Sequence, residues 1–367
     1  MPNYVRKLKN RQAKRDAEWY SLRSILGYSW AIFYMLLGGR EVGKSYSVTE
    51  FFCRQWRLYG RPFYWLRLTD TSQQKLLNNN AEKLIDPDIR RKYNLDLYVR
   101  GDGVYEVLKR EKVYDEHGKF VRYGKILEKK LMCRVLALST FYNDKGSGLF
   151  DKDFLDDPKM FYNICLDEMN REQNEKRSFD ILYAFTNQLE NLIRSTKTRV
   201  RVICIGNTLE EASDILCAFN FLPEQFGRYK LKKKRCVIDY IEPTEAYMKR
   251  RSGTVADILM PTASTFTNKI ETDDSLVFKG RLVKPTAIIK FARVKESWFT
   301  VWDSKCISQF NGEKATVIAM RPYIDEMFSS ELRDTIFKMF DTRSFVFRNL
   351  ITFKLFQKHL EILKPRK

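Results

Sequence analysis

The stretch Gly38-Gly39-Arg40-Glu41-Val42-Gly43-Lys44-Ser45 constrains the fold more than any other part of this chain. It satisfies the pattern G-x-x-x-x-G-K-[ST], in which each part has a physical task. The glycines let the loop curl so that successive backbone N–H groups face one anion. The lysine reaches β- and γ-phosphates, and the hydroxyl after it ligates Mg²⁺. The helix that follows adds the positive end of its dipole. The flanks agree with this reading. Trp30–Leu37 (WAIFYMLL) is short, aromatic and continuously apolar, which predicts a fully buried strand. Ser45–Leu58 recurs at helical spacing and closes on Gly60, and Pro62 precedes a second apolar strand, Phe63–Leu68 (FYWLRL). Strand, loop, helix, strand is the pattern of a parallel sheet. The expected fold is therefore α/β: a P-loop NTPase domain with a mostly parallel central sheet. All eight loop residues are candidates for binding ATP, with Ser45 on its Mg²⁺.

A carboxylate at a strand end should hold the metal in such a protein. Phe161–Leu166 predicts a buried strand, and Asp167-Glu168 ends it. Asp167 is expected at the metal, and Glu168 is placed to orient and activate an attacking water. The pair points to hydrolysis, because transfer to a bound acceptor needs no water-activating base. An apolar strand followed by Asp-Glu also opens many helices, so the signal draws its force from its place after the phosphate loop. Arg199–Ile205 predicts the next strand, ending at Gly206-Asn207. Asn207 is a candidate bridge between γ-phosphate and water, since ligands bind at strand ends in these sheets; the alternative is a plain turn. Arg194 closes a predicted helix, Phe179–Ile193, and is the candidate for a finger acting across a subunit boundary. Lys145 is its rival, and a favourable charge on the helix dipole is the plainer alternative.

At 367 residues the chain exceeds what one core usually organises, so two domains are expected. The first spans 1–227, with a basic arm at 1–25, an antiparallel insertion at about 93–133 and a return to the main sheet at Arg134–Ser139. A basic linker is expected over 228–263, around Lys230-Leu-Lys-Lys-Lys-Arg235. Residues 264–367 read as a small α+β domain of short strands whose last forty residues are helical. The 66 Lys+Arg outnumber the 46 Asp+Glu for a net charge of +20, which favours a polyanionic partner. Lys230, Lys232, Lys233, Lys234 and Arg235 are candidates for nucleic-acid phosphates, with a solvated linker face as the alternative. Glu271, Asp273, Asp274 and Asp303 would have to converge to make a two-metal nuclease, and they read more simply as turn residues. Two histidines leave little room for a zinc site or histidine catalysis. Seven cysteines without a CxxC pair suit reduced, buried thiols. No apolar run reaches the ~18–20 residues of a membrane span.

The segments GGREVGKS, FYWLR, ICLDE and RVRVICIGN, in this order and spacing, resemble the DNA-packaging ATPases of small phi-29-like podophages. The resemblance runs over about 30–225 and more loosely to about 320. It implies a ring ATPase, a homopentamer at the portal vertex, that drives double-stranded DNA into a preformed capsid in the host cell cytoplasm. Its implied partners are the portal or connector protein and, in some members, a structural packaging RNA. It also implies a C-terminal domain like a vestigial, RNase H-like nuclease. Carried over, Arg40 matches an arginine in the family's loop, Lys44 and Ser45 hold nucleotide and Mg²⁺, Asp167 holds the metal, and Glu168 is the base. The family's trans-acting arginine lies in an FRNR-like stretch, and Leu192-Ile193-Arg194-Ser195 matches it one residue out of register. The antiparallel segment at 93–140 is longer than in the family. Rival readings are a large-terminase-like enzyme with an active nuclease, a P-loop small-molecule kinase, and a structural nucleic-acid-binding protein with a silent loop.

Overall fold

The computed structural model describes residues 18–144, 161–170, 179–193, 199–207, 213–259, 276–278, 284–290, 298–307, 314–320, 337–338, 340–342 and 345–363. The chain forms two compact units, one of residues 1–209 and 223–270, the other of 210–222 and 271–367.

The first unit is built on nine strands: β1 (Phe33–Gly38), β2 (Phe63–Arg67), β3 (Leu97–Arg100), β4 (Gly103–Tyr114), β5 (Phe120–Ala137), β6 (Phe161–Asp167), β7 (Arg199–Asn207), β8 (Gly227–Leu231) and β9 (Cys236–Tyr240). Their order is β3-β4-β5-β2-β6-β7-β1-β9-β8. From β5 to β9 every neighbouring pair is parallel, and β3, β4 and β8 add antiparallel edges. Helices covering a parallel sheet bury its strands on both faces, which explains the unbroken apolar runs. Met35, Leu36, Trp65, Leu66, Ile164 and Cys165 are all at most 1% exposed. Helix α1 (Lys44–Tyr59) brings Phe52 and Trp56 onto this core, where the Phe52 ring packs 5.0 Å from Phe63 and edge-on to Trp65. Its C-terminus is a left-handed Gly60 whose N–H returns to the Trp56 carbonyl. Helix α2 (Ile181–Ile193) and helix α3 (Glu245–Arg251) complete the elements that matter below.

Two expectations about the domain boundaries are corrected. The stretch 228–263 is not a linker. Gly227–Leu231 and Cys236–Tyr240 form an antiparallel hairpin, and β9 pairs in parallel with β1. The charge of Lys230–Arg235 hid the next five residues, CVIDY, all buried. The basic run itself is a tight turn, Lys232–Lys234, closed by Arg235 in the left-handed region. Residues 210–222, assigned to the first domain, belong to the second unit, where a short helix (Asp214–Ala218) packs on helix α4 (Leu350–Leu363). The insertion returns to the main sheet where the sequence places that return, near Arg134. Its second strand, β5, runs on for 18 residues and pairs with β2 from Cys133 to Ala137.

The second unit carries a four-stranded sheet, β10 (Lys284–Lys290), β11 (Trp298–Ile307), β12 (Lys314–Met320) and β13 (Phe345–Phe347), in that order. The last forty residues are not all helical, because β13 lies among them and pairs in parallel with β12. Its three residues, FVF, are buried, with Phe347 packed against Phe353 and Phe356 of α4. Glu271, Asp273 and Asp274 lie outside the described residues. Among the described residues no three or more His, Cys, Asp or Glu side chains gather as metal ligands, and no helix is long and apolar enough to cross a membrane.

Candidate functional site

Strand register brings the chemistry together. Gly38 pairs with Asn207, Asp167 pairs with Ile205, and Leu66 pairs with Leu166. The C-terminal ends of β1, β2, β6 and β7 thus share one edge of the sheet. A cavity of about 510 Å³ opens there, lined by Arg40–Tyr46, Asp167, Glu168, Ile205 and Asn207. The phosphate loop and the carboxylate pair, more than a hundred residues apart in sequence, face each other across it. Arg194 lies outside the described residues, and so does Lys145. The Lys230–Arg235 turn joins β8 to the start of β9, at the opposite edge, and so takes no part in this site.

The loop is held from outside. Lys44 Nζ donates to the carbonyls of Gly38 and Gly39 at 2.7 and 2.5 Å. Tyr247 Oη donates to the Arg40 carbonyl at 3.1 Å, and an Arg250 Nη to that of Glu41 at 2.6 Å. The Tyr20 N–H donates to the Val42 carbonyl at 2.9 Å, and the Ser47 N–H to that of Gly43 at 2.9 Å. Every carbonyl from Gly38 to Gly43 is thereby engaged, which fixes the curl of the loop. Gly43 sits at φ 92°, a conformation that L side chains rarely adopt, and an added Cβ would come 3.2 Å from the Trp19 ring. Glu41 is also left-handed, at φ 61°, and its carboxylate pairs with Arg251 at 3.1 Å. The Arg250 guanidinium stacks on Trp19, 3.7 Å from the ring centre.

Burial pushes the Lys44 ammonium down to about 8; the Asp167 carboxylate opposes this and the Arg40 guanidinium adds to it. Ser45 Oγ donates to Asp167 Oδ1 at 3.2 Å. That separation is near the ~3 Å between neighbouring corners of an octahedron with ligands at 2.0–2.1 Å, so a hydroxyl and a carboxylate placed like this suit Mg²⁺. Glu168 sits in the left-handed region at φ 57°, a local strain that turns its side chain out of the strand. It is half exposed, whereas Asp167 is nearly buried.

Both carboxylates meet one guanidinium. Arg67, at the end of β2, reaches Asp167 Oδ2 at 2.8 Å through one nitrogen and Glu168 Oε2 at 2.7 Å through the other. The sequence does not point to Arg67. A lone arginine ending an apolar strand carries no signal until the strand order is known, because β2 is a sheet neighbour of β6 yet lies about a hundred residues before it. Trp19, Tyr20, Tyr247 and Arg250 escape a sequence reading for the same reason. Asn207 lines the cavity, and its carbonyl accepts from Asn170 Nδ2 at 3.3 Å. Gly206 before it is closely packed: a Cβ would lie 2.9 Å from the terminal methyl of Met169 and 3.1 Å from a Leu37 methyl, so these side-chain ends would have to shift.

No sequence family and no curated protein matches the chain. Solved structures do. The Phi-28 gp11 DNA packaging motor superposes with a TM-score of 0.61 at 14% identity, over 95% of this chain and 99% of the other. The bacteriophage Phi-29 viral genome packaging motor assembly superposes with a TM-score of 0.57 at 18% identity, over 94% and 100%. The chain shares the fold of these packaging motors along nearly its whole length, as the resemblance of its motifs implied.

Proposed function

We propose that this chain is the ATPase of a bacteriophage genome-packaging motor, which hydrolyses ATP to drive double-stranded DNA into a preformed capsid. One observation carries the chemistry: Lys44 and Ser45 face Asp167 and Glu168 across a single cavity at the C-terminal edge of the sheet. The likeness in fold to two packaging motors supports the choice of DNA as cargo.

The division of labour follows from the geometry. The loop N–H groups cradle the phosphates, and Lys44 turns from its own loop carbonyls toward the β- and γ-phosphates. Ser45 and Asp167 hold Mg²⁺, which neutralises charge on the phosphate oxygens when bound. Glu168 takes the proton of the attacking water, and Asn207 positions that water against the γ-phosphate. Arg67 holds both carboxylates in place before nucleotide arrives. A positive group from a neighbouring subunit completes the charge stabilisation, with Arg194 our candidate. This requires a ring, and we take it to be a homopentamer docked on the portal protein in the host cytoplasm. Contacts at the γ-phosphate then bias one subunit against the next.

The test is ATP turnover measured with and without double-stranded DNA. Stimulation by DNA, abolished by Lys44→Ala, supports the motor reading. Turnover that ignores DNA but phosphorylates a small acceptor makes the chain a kinase instead.

A further inference from the structure

The β4–β5 hairpin reaches well past the sheet it belongs to. The pairing of β3 with β4 extends no farther than Leu97 with Glu106, and β2 joins β5 only from Cys133. From Leu108 to Tyr114 and back from Phe120 the two strands pair, among the described residues, only with each other, over roughly 25 Å at ~3.4 Å per residue, with Arg110 tied back to Asp96 at the base. Because β5 enters the sheet in parallel with β2, this arm leaves from the N-terminal ends of the parallel strands. The nucleotide cavity lies at their C-terminal ends.

Two features of the arm need a partner. A two-stranded ribbon wet on both faces is marginal alone, yet this one exposes large apolar groups. Tyr114, Phe120 and Tyr123 are each about half exposed and pack edge to face at the tip, with ring centres 6.3 and 5.1 Å apart. The arm is also cationic. Lys109, Lys112, Lys119, Arg122 and Lys125 are exposed along it. With Arg110 they outnumber its three acidic groups: Glu116, Glu111, which accepts from the Lys125 N–H, and Asp115, which accepts from the N–H groups of His117 and Lys119 in the turn. The same edge of the sheet stays basic farther along, at Arg199 opening β7 and at the exposed Lys232–Lys234 turn before β9.

We propose that the β4–β5 arm is a contact for duplex DNA, gripping phosphates through its lysines and Arg122 and laying its aromatic tip in a groove. A two-stranded ribbon fits the ~12 Å major groove, and phosphate contacts of this kind are blind to sequence. The fold then holds nucleotide at one edge of the sheet and the polyanion at the other. The inference deepens the motor reading, and takes from it only the identity of the polyanion.

The test uses the full chain without nucleotide and a short fluorescent duplex, titrated across a series of salt concentrations. One variant replaces Lys109, Lys112, Arg122 and Lys125 with Gln; a second replaces Tyr114, Phe120 and Tyr123 with Ser. The charge variant should lose at least about tenfold in affinity. Its salt slope should be shallower by up to about 3.6, at ~0.9 for each of four phosphates no longer neutralised. The tip variant should bind several-fold more weakly with the slope unchanged. ATP affinity, read at the opposite edge, should match the wild type in both and so report that they fold. If both variants bind duplex as the wild type does, the arm does not hold DNA, while the motor reading stands. If the wild type binds no duplex, both fall. If the tip variant changes only the sedimentation of the chain, the arm's partner is a second copy and the proposal is overturned.

Discussion

Arg67 and Glu168 form an ion pair at 2.7 Å between the ends of two adjacent strands, and the same guanidinium holds Asp167. Arg67 is largely buried, so its removal leaves the buried Asp167 carboxylate without its cation. Losing one partner of a fully buried pair costs ~3–5 kcal/mol. The half-exposed Glu168 lowers the expectation for Arg67→Ala to about 2 kcal/mol in denaturant unfolding. Asp167→Asn in the same chain should recover part of that loss, because it removes the stranded charge. Strictly additive effects of the two changes would contradict the coupling.

Lys44 gives a pH dependence whose sign is fixed. Only its ammonium form attracts phosphate, and burial has brought its pKa down to about 8. Below that pH the lysine arrives charged; above it, nucleotide must bring a proton with it. Apparent ATP affinity should therefore hold steady below pH 7 and fall about tenfold by pH 9, with proton uptake on binding. Calorimetry in two buffers of different ionisation enthalpy measures that uptake. A flat profile to pH 9 would mean that Lys44 stays fully charged.

The outside grip on the loop predicts effects from residues that never touch phosphate. Tyr247→Phe removes one donor to the Arg40 carbonyl. A neutral hydrogen bond contributes ~1 kcal/mol, so ATP should bind about fivefold more weakly. Arg250→Ala removes both the hydrogen bond to the Glu41 carbonyl and the stack on Trp19, and should cost more. Unchanged nucleotide affinity in both variants would show that the loop holds its shape alone.

Gly43→Ala separates backbone conformation from charge. It forces a Cβ onto a residue at φ 92° and toward the Trp19 ring. We expect a loss of about 1–2 kcal/mol in stability and a larger loss in ATP binding, since the loop must open to relieve the strain. Thermal unfolding with and without nucleotide reads both.

What the sequence disclosed was local. Gly38–Ser45 and Asp167-Glu168, which the fold brings to one cavity, stood out because their residue types and spacing match a local pattern, and the apolar runs beside them are buried strands. Arg67 was invisible because its meaning depends on which strand lies beside β6. The Cys236–Tyr240 strand was lost behind the lysines before it, since a composition shift looks like a boundary even where five buried residues follow. The return of the insertion to the main sheet was legible in the apolar run Met132–Leu138, whereas the choice of β2 as its neighbour depends on the strand order.

The central claim is that the carboxylate couple at the end of β6 completes a hydrolytic site around the phosphate loop. Its most direct test is Glu168→Gln, with ATP binding and ATP turnover measured on the same preparation. The account predicts binding within about twofold of the wild type and turnover lower by at least ~100-fold, the usual scale for removing a general base. Turnover close to the wild-type rate would contradict it.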